Sequence, residues 1–149
     1  MKPQTIIKAI ANLKPVPHRL EIKTQENMTI IDDAYNSNYD GFKNAIEVLG
    51  TYQYEHPKPK IFVTPGIVDL GSETFRIHKD LGQWISKISN INYIILVGKS
   101  ERTKGLKEGI TDKNKIIEVD TLNEVWQKIE KLNLNHPIVL LENDLPDNY

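Results

Sequence analysis

The sequence predicts the α/β fold class, and within it a Rossmann-like, three-layer α/β/α sandwich of about six mostly parallel strands. From about residue 40 onward, short runs rich in β-branched residues alternate with longer segments of helical period. The short runs hold almost no polar residue, which is typical of strands that helices cover on both faces. Repeated β-α units joined by right-handed crossovers build such a layered sandwich.

The first forty residues predict a different start. A short helix is expected at residues 2–12, followed by two strands at 18–24 and 28–33 around a turn at 25–27. Two strands with so short a connection form an antiparallel hairpin. The hairpin therefore opens the sheet, and the start of its first strand lies near the end of its second.

From residue 40 the expected order is helix, strand, helix, strand, short helix, strand, helix, strand. The strands are expected at 61–63, 94–97, 116–119 and 138–141. Apolar residues at helical spacing predict three helices, and their stripes are Phe42, Ala45, Ile46 and Leu49; His78, Leu81, Ile85 and Ile88; and Leu122, Val125, Trp126, Ile129 and Leu132. Short polar side chains suited to capping stand near three helix starts, at Asp40, Ser72 and Thr121.

The composition predicts one globular domain. The 149 residues are 39% hydrophobic and 26% charged, which suffices for a single core. The 19 basic and 20 acidic residues give a net charge of -1, which argues against nucleic acid binding by bulk charge. The chain contains no cysteine, which excludes disulfides and thiolate metal sites. Because no apolar run approaches the roughly 20 residues that span a bilayer and no signal peptide opens the chain, a cytoplasmic protein without a membrane partner is expected.

The sequence carries no complete motif for a nucleotide or metal site. Gly98-Lys99-Ser100 resembles the end of a phosphate-binding loop, but that motif needs a glycine where Tyr93 stands. The glycines form no G-x-G-x-x-G fingerprint, and the four histidines have no metal-ligand spacing. No serine lies in a nucleophile elbow. Neither a catalytic residue nor a metal ligand is therefore predicted in this chain.

One pair of residues suggests a binding site. Arg19 opens the first strand of the predicted hairpin and Asp33 ends the second, so both are expected at the same edge of the sheet. An arginine can donate a fork of hydrogen bonds to phosphate oxygens, and a carboxylate can accept hydrogen bonds from ribose hydroxyls. The alternative is a structural ion pair between the two side chains.

Three segments carry a family resemblance. They are Pro-Val-Pro-His-Arg-Leu-Glu at 15–21, Ile-Ile-Asp-Asp-Ala-Tyr-Asn-Ser-Asn at 30–38 and Val-Thr-Pro-Gly-Ile-Val-Asp-Leu-Gly at 63–71. In this order and at this spacing they resemble the C-terminal domain of the Mur ligases. The closing segment 141–149 is similar to one branch of that family.

The resemblance implies a function and a set of site residues. Mur ligases are cytoplasmic, ATP- and Mg²⁺-dependent enzymes of peptidoglycan synthesis that phosphorylate the acid end of a UDP-N-acetylmuramoyl peptide. An amine such as D-alanyl-D-alanine then attacks the acyl phosphate. By match to the family's motifs, Arg19 contacts the ATP phosphates or ribose and Asp33 binds the ribose. Tyr35, Asn36 and Asn38 face the incoming dipeptide.

The resemblance also implies that residues 1–149 are one domain of a longer enzyme. The central ATPase domain and the N-terminal UDP-binding domain of the family have no counterpart in this chain. The isolated chain is therefore expected to lack ligase activity and to require no cofactor of its own.

Two departures from the family pattern keep other functions open. Asn38 is followed by Tyr39, where family members commonly continue with Asn-Pro, and Glu142-Asn143-Asp144 stands where many members have Lys-Gly-Ser-Arg. A Mur-like ligase for another acceptor amine, as in folate polyglutamylation, is the first alternative. A non-catalytic α/β binding module is the second.

Overall fold

The computed structural model describes residues 16–35, 37–53, 55–143 and 145, so the helix predicted at residues 2–12 lies outside the described residues. These residues form six strands and four α-helices, with short 3₁₀ turns before α2 and β5. In chain order the elements are β1 (Glu21–Thr24), β2 (Thr29–Asp33), α1 (Tyr39–Thr51), β3 (Lys60–Thr64), α2 (Thr74–Ile85), β4 (Tyr93–Val97), α3 (Glu101–Gly109), β5 (Ile116–Val119), α4 (Leu122–Lys131) and β6 (Ile138–Glu142).

All six strands form one sheet in the order β1-β2-β6-β3-β4-β5. β1 and β2 pair antiparallel, and every other neighbouring pair is parallel. The predicted fold class and the opening hairpin are therefore confirmed. β6 is the last of these six strands in sequence but lies between β2 and β3, so the carboxyl ends of these three strands are adjacent.

The helices cover both faces of the sheet. One buried cluster packs α1, α2 and α3 against the sheet, and it includes the edge-to-face pair of Phe42 and Phe62 at 5.6 Å between ring centroids. A second cluster packs α4 through Val125 and Ile129 against the other face. The three predicted apolar stripes are thus the faces that the helices bury. No helix in the described ranges is both long and apolar enough to cross a bilayer.

The first strand is shorter than predicted. Residues 18–20 form a turn before β1, in which His18 and Leu20 have φ angles of 58° and 50°. This left-handed backbone cannot continue an extended strand. Histidine adopts such angles more readily than most residues, but leucine rarely does, so this turn could not be predicted from Leu20.

One of the three predicted helix caps is confirmed. Thr121 accepts a hydrogen bond from the Glu124 N–H and caps α4. Asp40 is not a cap: it lies inside the first turn of α1, and Asn38 accepts the Gly41 N–H at 2.8 Å instead. Ser72 lies in a 3₁₀ turn, and α2 begins after it without a side-chain cap.

Candidate functional site

Arg19 and Asp33 lie at one corner of the sheet, at the carboxyl end of β2. The Asp33 carboxylate accepts the backbone N–H of Leu20 at 3.0 Å, which ties the residue after Arg19 to the strand end. The Tyr35 N–H donates to the His18 carbonyl at 3.3 Å and closes the same turn. The expected proximity of positions 19 and 33 is therefore present in the structure, and the roles assigned to them stay predictions.

Arg19 is exposed and stacks on an aromatic ring. Its guanidinium carbon lies 4.7 Å from the centre of the Tyr35 ring, a contact that orients the guanidinium while its N–H groups can still bind an anion. Among the ion pairs of the described residues, none joins Arg19 to Asp33. The alternative of a structural Arg–Asp pair therefore finds no support in this geometry.

The neighbouring Asp32 is the structural carboxylate of this corner. Its buried side chain accepts hydrogen bonds from Lys23 Nζ at 2.6 Å and from the Ala34 N–H at 3.2 Å, and it contacts His18 Nδ1 at 2.9 Å. Burial acts to raise the pKa of Asp32, but these hydrogen bonds outweigh burial and hold the pKa below its usual value. Asp32 therefore stabilises the turn that contains Arg19, and Asp33 lies at the carboxyl edge of the sheet.

Asn143 joins three segments at the carboxyl edge. It follows β6 with a φ of 61°, and its side chain is fully buried. Its Oδ1 accepts the Ser37 N–H at 2.6 Å, and its Nδ2 donates to the Gly66 carbonyl at 2.6 Å. Its own N–H donates to the Asp33 carbonyl at 3.1 Å. The loops after β2 and β3 are thus held against the end of β6 by one amide side chain.

Replacing Asn143 by alanine is expected to lower the free energy of unfolding by about 3 kcal/mol, because two backbone groups at the loops lose their buried partner. Asn133→Ala is the matched control, since Asn133 also has a positive φ (46°) but is exposed after α4. Urea unfolding measures both variants. Equal losses would show that only the left-handed backbone matters and that the loop tie contributes nothing.

Glu142 ends β6 as a buried carboxyl group. The residue is fully buried, and neither carboxyl oxygen has a hydrogen-bond donor among the described residues. Burial first, and then the negative charge of Asp33, raise the pKa of Glu142 to about 10. The group is therefore protonated and neutral at pH 7.

His78 supports the loop after β3 from beneath. It is buried in α2, as its place on an apolar stripe predicted. Its Nε2 accepts the Ile67 N–H at 2.8 Å, and its Nδ1 donates to the Thr74 carbonyl at 2.6 Å. Burial lowers the pKa of His78, so the ring is neutral in this arrangement.

The residues predicted to face an amine substrate are only partly described. Tyr35 is exposed beside Arg19, and Asn38 is exposed at the start of α1. The Asn38 oxygen already caps α1, so its amide nitrogen is the group left for a ligand. Asn36 lies outside the described residues. A groove of about 370 Å³ runs between residues 37–39 and 67–70, next to this corner.

Two larger depressions lie at the opposite end of the strands. Their volumes are about 650 and 580 Å³, and they reach Lys60 and Ile138 in one case and Met28 and Pro137 in the other. These residues stand at or before the amino ends of β2, β3 and β6. Parallel sheets bind ligands beyond the carboxyl ends of their strands, so the smaller groove is the better candidate for a substrate.

The residues of the described ranges do not form a metal site. No three histidine or carboxylate side chains among them converge to hold a metal ion.

Comparison with known proteins identifies related sequences. A family model described as the Mur ligase, glutamate ligase domain, matches residues 18–141. The UDP-N-acetylmuramoyl-tripeptide–D-alanyl-D-alanine ligase of Buchnera aphidicola is 34% identical over 80% of this chain, which covers 26% of that ligase. The enzyme of the same name from Bacillus subtilis is 34% identical over 65% of the chain and 21% of its own length. The chain thus spans about a quarter of these relatives or less.

Solved structures share the fold. MurF from Acinetobacter baumannii superposes with a TM-score of 0.80 at 21% identity, over 97% of this chain and 31% of that one. MurF from Thermotoga maritima in complex with ADP superposes with a TM-score of 0.70 at 21% identity, over 93% and 32%. At such identities the likeness establishes the architecture alone.

Proposed function

Because the chain belongs to the Mur ligase family, with residues 18–141 forming its glutamate ligase domain, we propose that it is the C-terminal domain of a longer, cytoplasmic, ATP-dependent ligase. That ligase adds D-alanyl-D-alanine to a UDP-N-acetylmuramoyl tripeptide. ATP phosphorylates the peptide's terminal carboxylate, and the dipeptide amine displaces phosphate from the acyl phosphate. The relatives that carry this name support the substrate pair.

The nucleotide contacts are assigned to the corner of Arg19 and Asp33. Arg19 is exposed, stacked and outside every ion pair of the described residues, so its N–H groups can reach phosphate oxygens or the ribose. Among the described residues, Asp33 accepts one backbone N–H, so lone pairs of its carboxylate are left for a ribose hydroxyl. The hydrogen bond from the Leu20 N–H to the Asp33 carboxylate is the observation that supports this assignment most directly, because it holds Arg19 and Asp33 at the same edge of the sheet.

The incoming dipeptide is assigned to the loop that follows. By the family resemblance, Tyr35, Asn36 and Asn38 are assigned to the dipeptide. The groove between residues 37–39 and 67–70, which Asn38 lines, has room for a small peptide. The groove holds one charged side chain, the exposed Asp69. A carboxylate attracts the ammonium end of a dipeptide, which favours an amine substrate there.

The remaining chemistry is assigned to the rest of the ligase. The phosphate-binding loop and the Mg²⁺ ligands are expected in a central domain, and the UDP group is bound by an N-terminal domain. Closure of this domain over the acyl phosphate excludes water and limits hydrolysis. The 149-residue chain alone is therefore expected to be inactive and to need no cofactor.

A phosphate-release assay with the intact ligase tests the proposal. We expect release that requires ATP, the UDP-linked tripeptide and D-alanyl-D-alanine together, and no release by the 149-residue chain alone. Parallel reactions with L-glutamate and other amines test the alternative acceptor. Faster release with another amine would assign the chain to a ligase of different specificity, and release by the isolated chain would contradict its role as a dependent domain.

A further inference from the structure

Glu142 and Asp33 face each other across two neighbouring strands. Asp33 pairs with Glu142 in the parallel register of β2 and β6, so their side chains project from the same face of the sheet. That face is the one covered by α1, α2 and α3, since Ile31 and Leu140, two residues earlier in each strand, belong to their cluster. The two carboxyl groups are therefore neighbours at the strand ends.

Among the described residues, no cationic side chain forms an ion pair with Glu142, and the Ser37 side chain offsets only part of the rise in its pKa. The Ser37 hydroxyl, which comes near it from the loop before α1, donates to the Asn38 carbonyl at 3.3 Å. From α3, Arg102 approaches the Gly66 carbonyl at 3.5 Å and forms no ion pair among the described residues. His78 of α2 is bound to Ile67 and Thr74.

Asp32, Lys23 and His18 form their own network at the end of β2. Successive residues of a strand point to opposite faces, so Asp32 lies on the other side of the sheet from Asp33. Burial of an unpaired carboxylate is strongly unfavourable, whereas a protonated carboxyl beside a carboxylate can donate a hydrogen bond to it.

We propose that Glu142 carries a proton and donates it in a hydrogen bond to Asp33, so that it acts as a positioning residue for the nucleotide contact. The inference rests on the role proposed above for Asp33. Leu20 and Glu142 then occupy two of the about four lone-pair positions of the Asp33 carboxylate and fix its plane. The outward positions remain for a ribose hydroxyl. The raised pKa of Glu142 agrees with this arrangement.

The proton on Glu142 can be observed in the 149-residue chain itself. Both hydrophobic clusters, one on each face of the sheet, are formed by described residues of this chain, so the chain has a core of its own. In a sample labelled with ¹³C at side-chain carboxyl groups, the Glu142 resonance is expected at the position of a neutral carboxyl at pH 7. In an Asp33→Asn variant, Glu142 is expected to titrate at lower pH, because the neighbouring negative charge is gone. Titration of Glu142 near pH 4.5 in the wild type, or an unchanged titration in Asp33→Asn, would overturn the pair.

The pH dependence of the free energy of unfolding is a second measure of the proton on Glu142. The folded state holds this proton between pH 4.5 and about 10, whereas the unfolded state loses it near 4.5. The stability that Glu142 contributes is therefore complete below pH 4.5 and falls as the pH rises through this range. Glu142→Gln is expected to become progressively more stable than the wild type between pH 5 and 9. Glu130→Gln, at an exposed site on α4, is the control that keeps the wild-type dependence.

Two variants in the intact ligase separate positioning from packing. Glu142→Gln keeps an N–H donor for Asp33, and Glu142→Met keeps the volume without a donor. We expect the KM for ATP to stay within about twofold for Gln and to rise about tenfold for Met, with the KM for the peptide unchanged. Equal ATP KM values for the two variants would overturn the positioning role. The carboxyl titrations need no nucleotide and test the Glu142–Asp33 hydrogen bond separately. An unaltered KM for ATP in Asp33→Asn would therefore refute the nucleotide contact of Asp33 and leave the hydrogen bond unaffected.

Discussion

A Gly109→Ala variant is expected to lose about 3 kcal/mol of unfolding free energy, because α2 and α3 leave no space for a methyl group between them. A Cβ on Gly109 would lie 2.0 Å from the Lys79 carbonyl oxygen, and one on Gly82 would lie 2.5 Å from the Leu106 carbonyl oxygen. Both obstacles are backbone atoms of the opposite helix. Neither can turn away as a side chain would, so the two helices must move apart.

This helix pair carries part of the site. His78 lies in α2 and supports the loop after β3, and α3 begins just after β4 at the same edge. Separation of the helices is therefore expected to disturb the groove at residues 67–70 as well as the core.

Gly50→Ala is the matched control for this prediction. Gly50 lies in α1, and the atom nearest to its Cβ would be the Ile88 Cγ2, at the van der Waals contact distance of 3.4 Å. Alanine has the higher helix propensity, so this variant should be unchanged or up to about 1 kcal/mol more stable. Urea unfolding of both variants measures the difference. A Gly109→Ala variant as stable as Gly50→Ala would show that the close approach of the helices is absent in solution.

An Arg19→Ala variant of the intact ligase is expected to lose about 100-fold in kcat/KM for ATP, the size of effect seen when one donor to a developing negative charge is removed. The KM for the UDP-linked peptide should stay unchanged, because Arg19 is assigned to the nucleotide. Arg19→Lys should recover part of the activity, since an ammonium keeps the charge without the planar fork.

Arg76 provides the control for a lost surface arginine. It is well exposed on α2 and pairs with Glu73, just before this helix, and with Asp80 on it. Such surface ion pairs contribute little to stability. Arg76→Ala should keep kcat/KM for ATP within about twofold. If Arg19→Ala behaved like Arg76→Ala in a steady-state assay, the assignment of the nucleotide corner would be wrong.

The sheet was predictable because its strands are locally distinctive. The runs at 61–63, 94–97, 116–119 and 138–141 are apolar except for Glu118, and all four form parallel strands of the sheet. The hairpin followed from two extended segments with a short turn. The proximity of Arg19 and Asp33 followed in turn from the hairpin, since antiparallel pairing brings those two ends together.

The short helix was harder to define from sequence. α3 packs closely on α2 through Gly105 and Gly109, whose small size permits contact with the backbone of the other helix. Glycines add no apolar stripe and have low helix propensity. Gly105 and Gly109, which allow the close packing of α3 on α2, are therefore also the reason why the bounds of α3 could not be predicted from the sequence.

The buried polar groups at the site could not be predicted. Glu142 reads as the start of a loop, but it ends β6 inside the sheet and is fully buried. Its burial, and the three contacts of Asn143, depend on β6 inserting between β2 and β3. That position is a long-range property of the topology, which no local pattern of residues records.

Hydrogen exchange of the intact ligase tests the central claim most directly, namely that a nucleotide docks at the corner of Arg19 and Asp33. The amides to follow are those of Leu20, which donates to Asp33, and of Tyr35, which donates to His18. With saturating UDP-linked peptide and a nonhydrolysable ATP analogue, both amides are predicted to exchange about tenfold more slowly, while those of α4 stay unchanged. Protection confined to other domains, with Leu20 and Tyr35 exchanging at their original rates, would contradict the account.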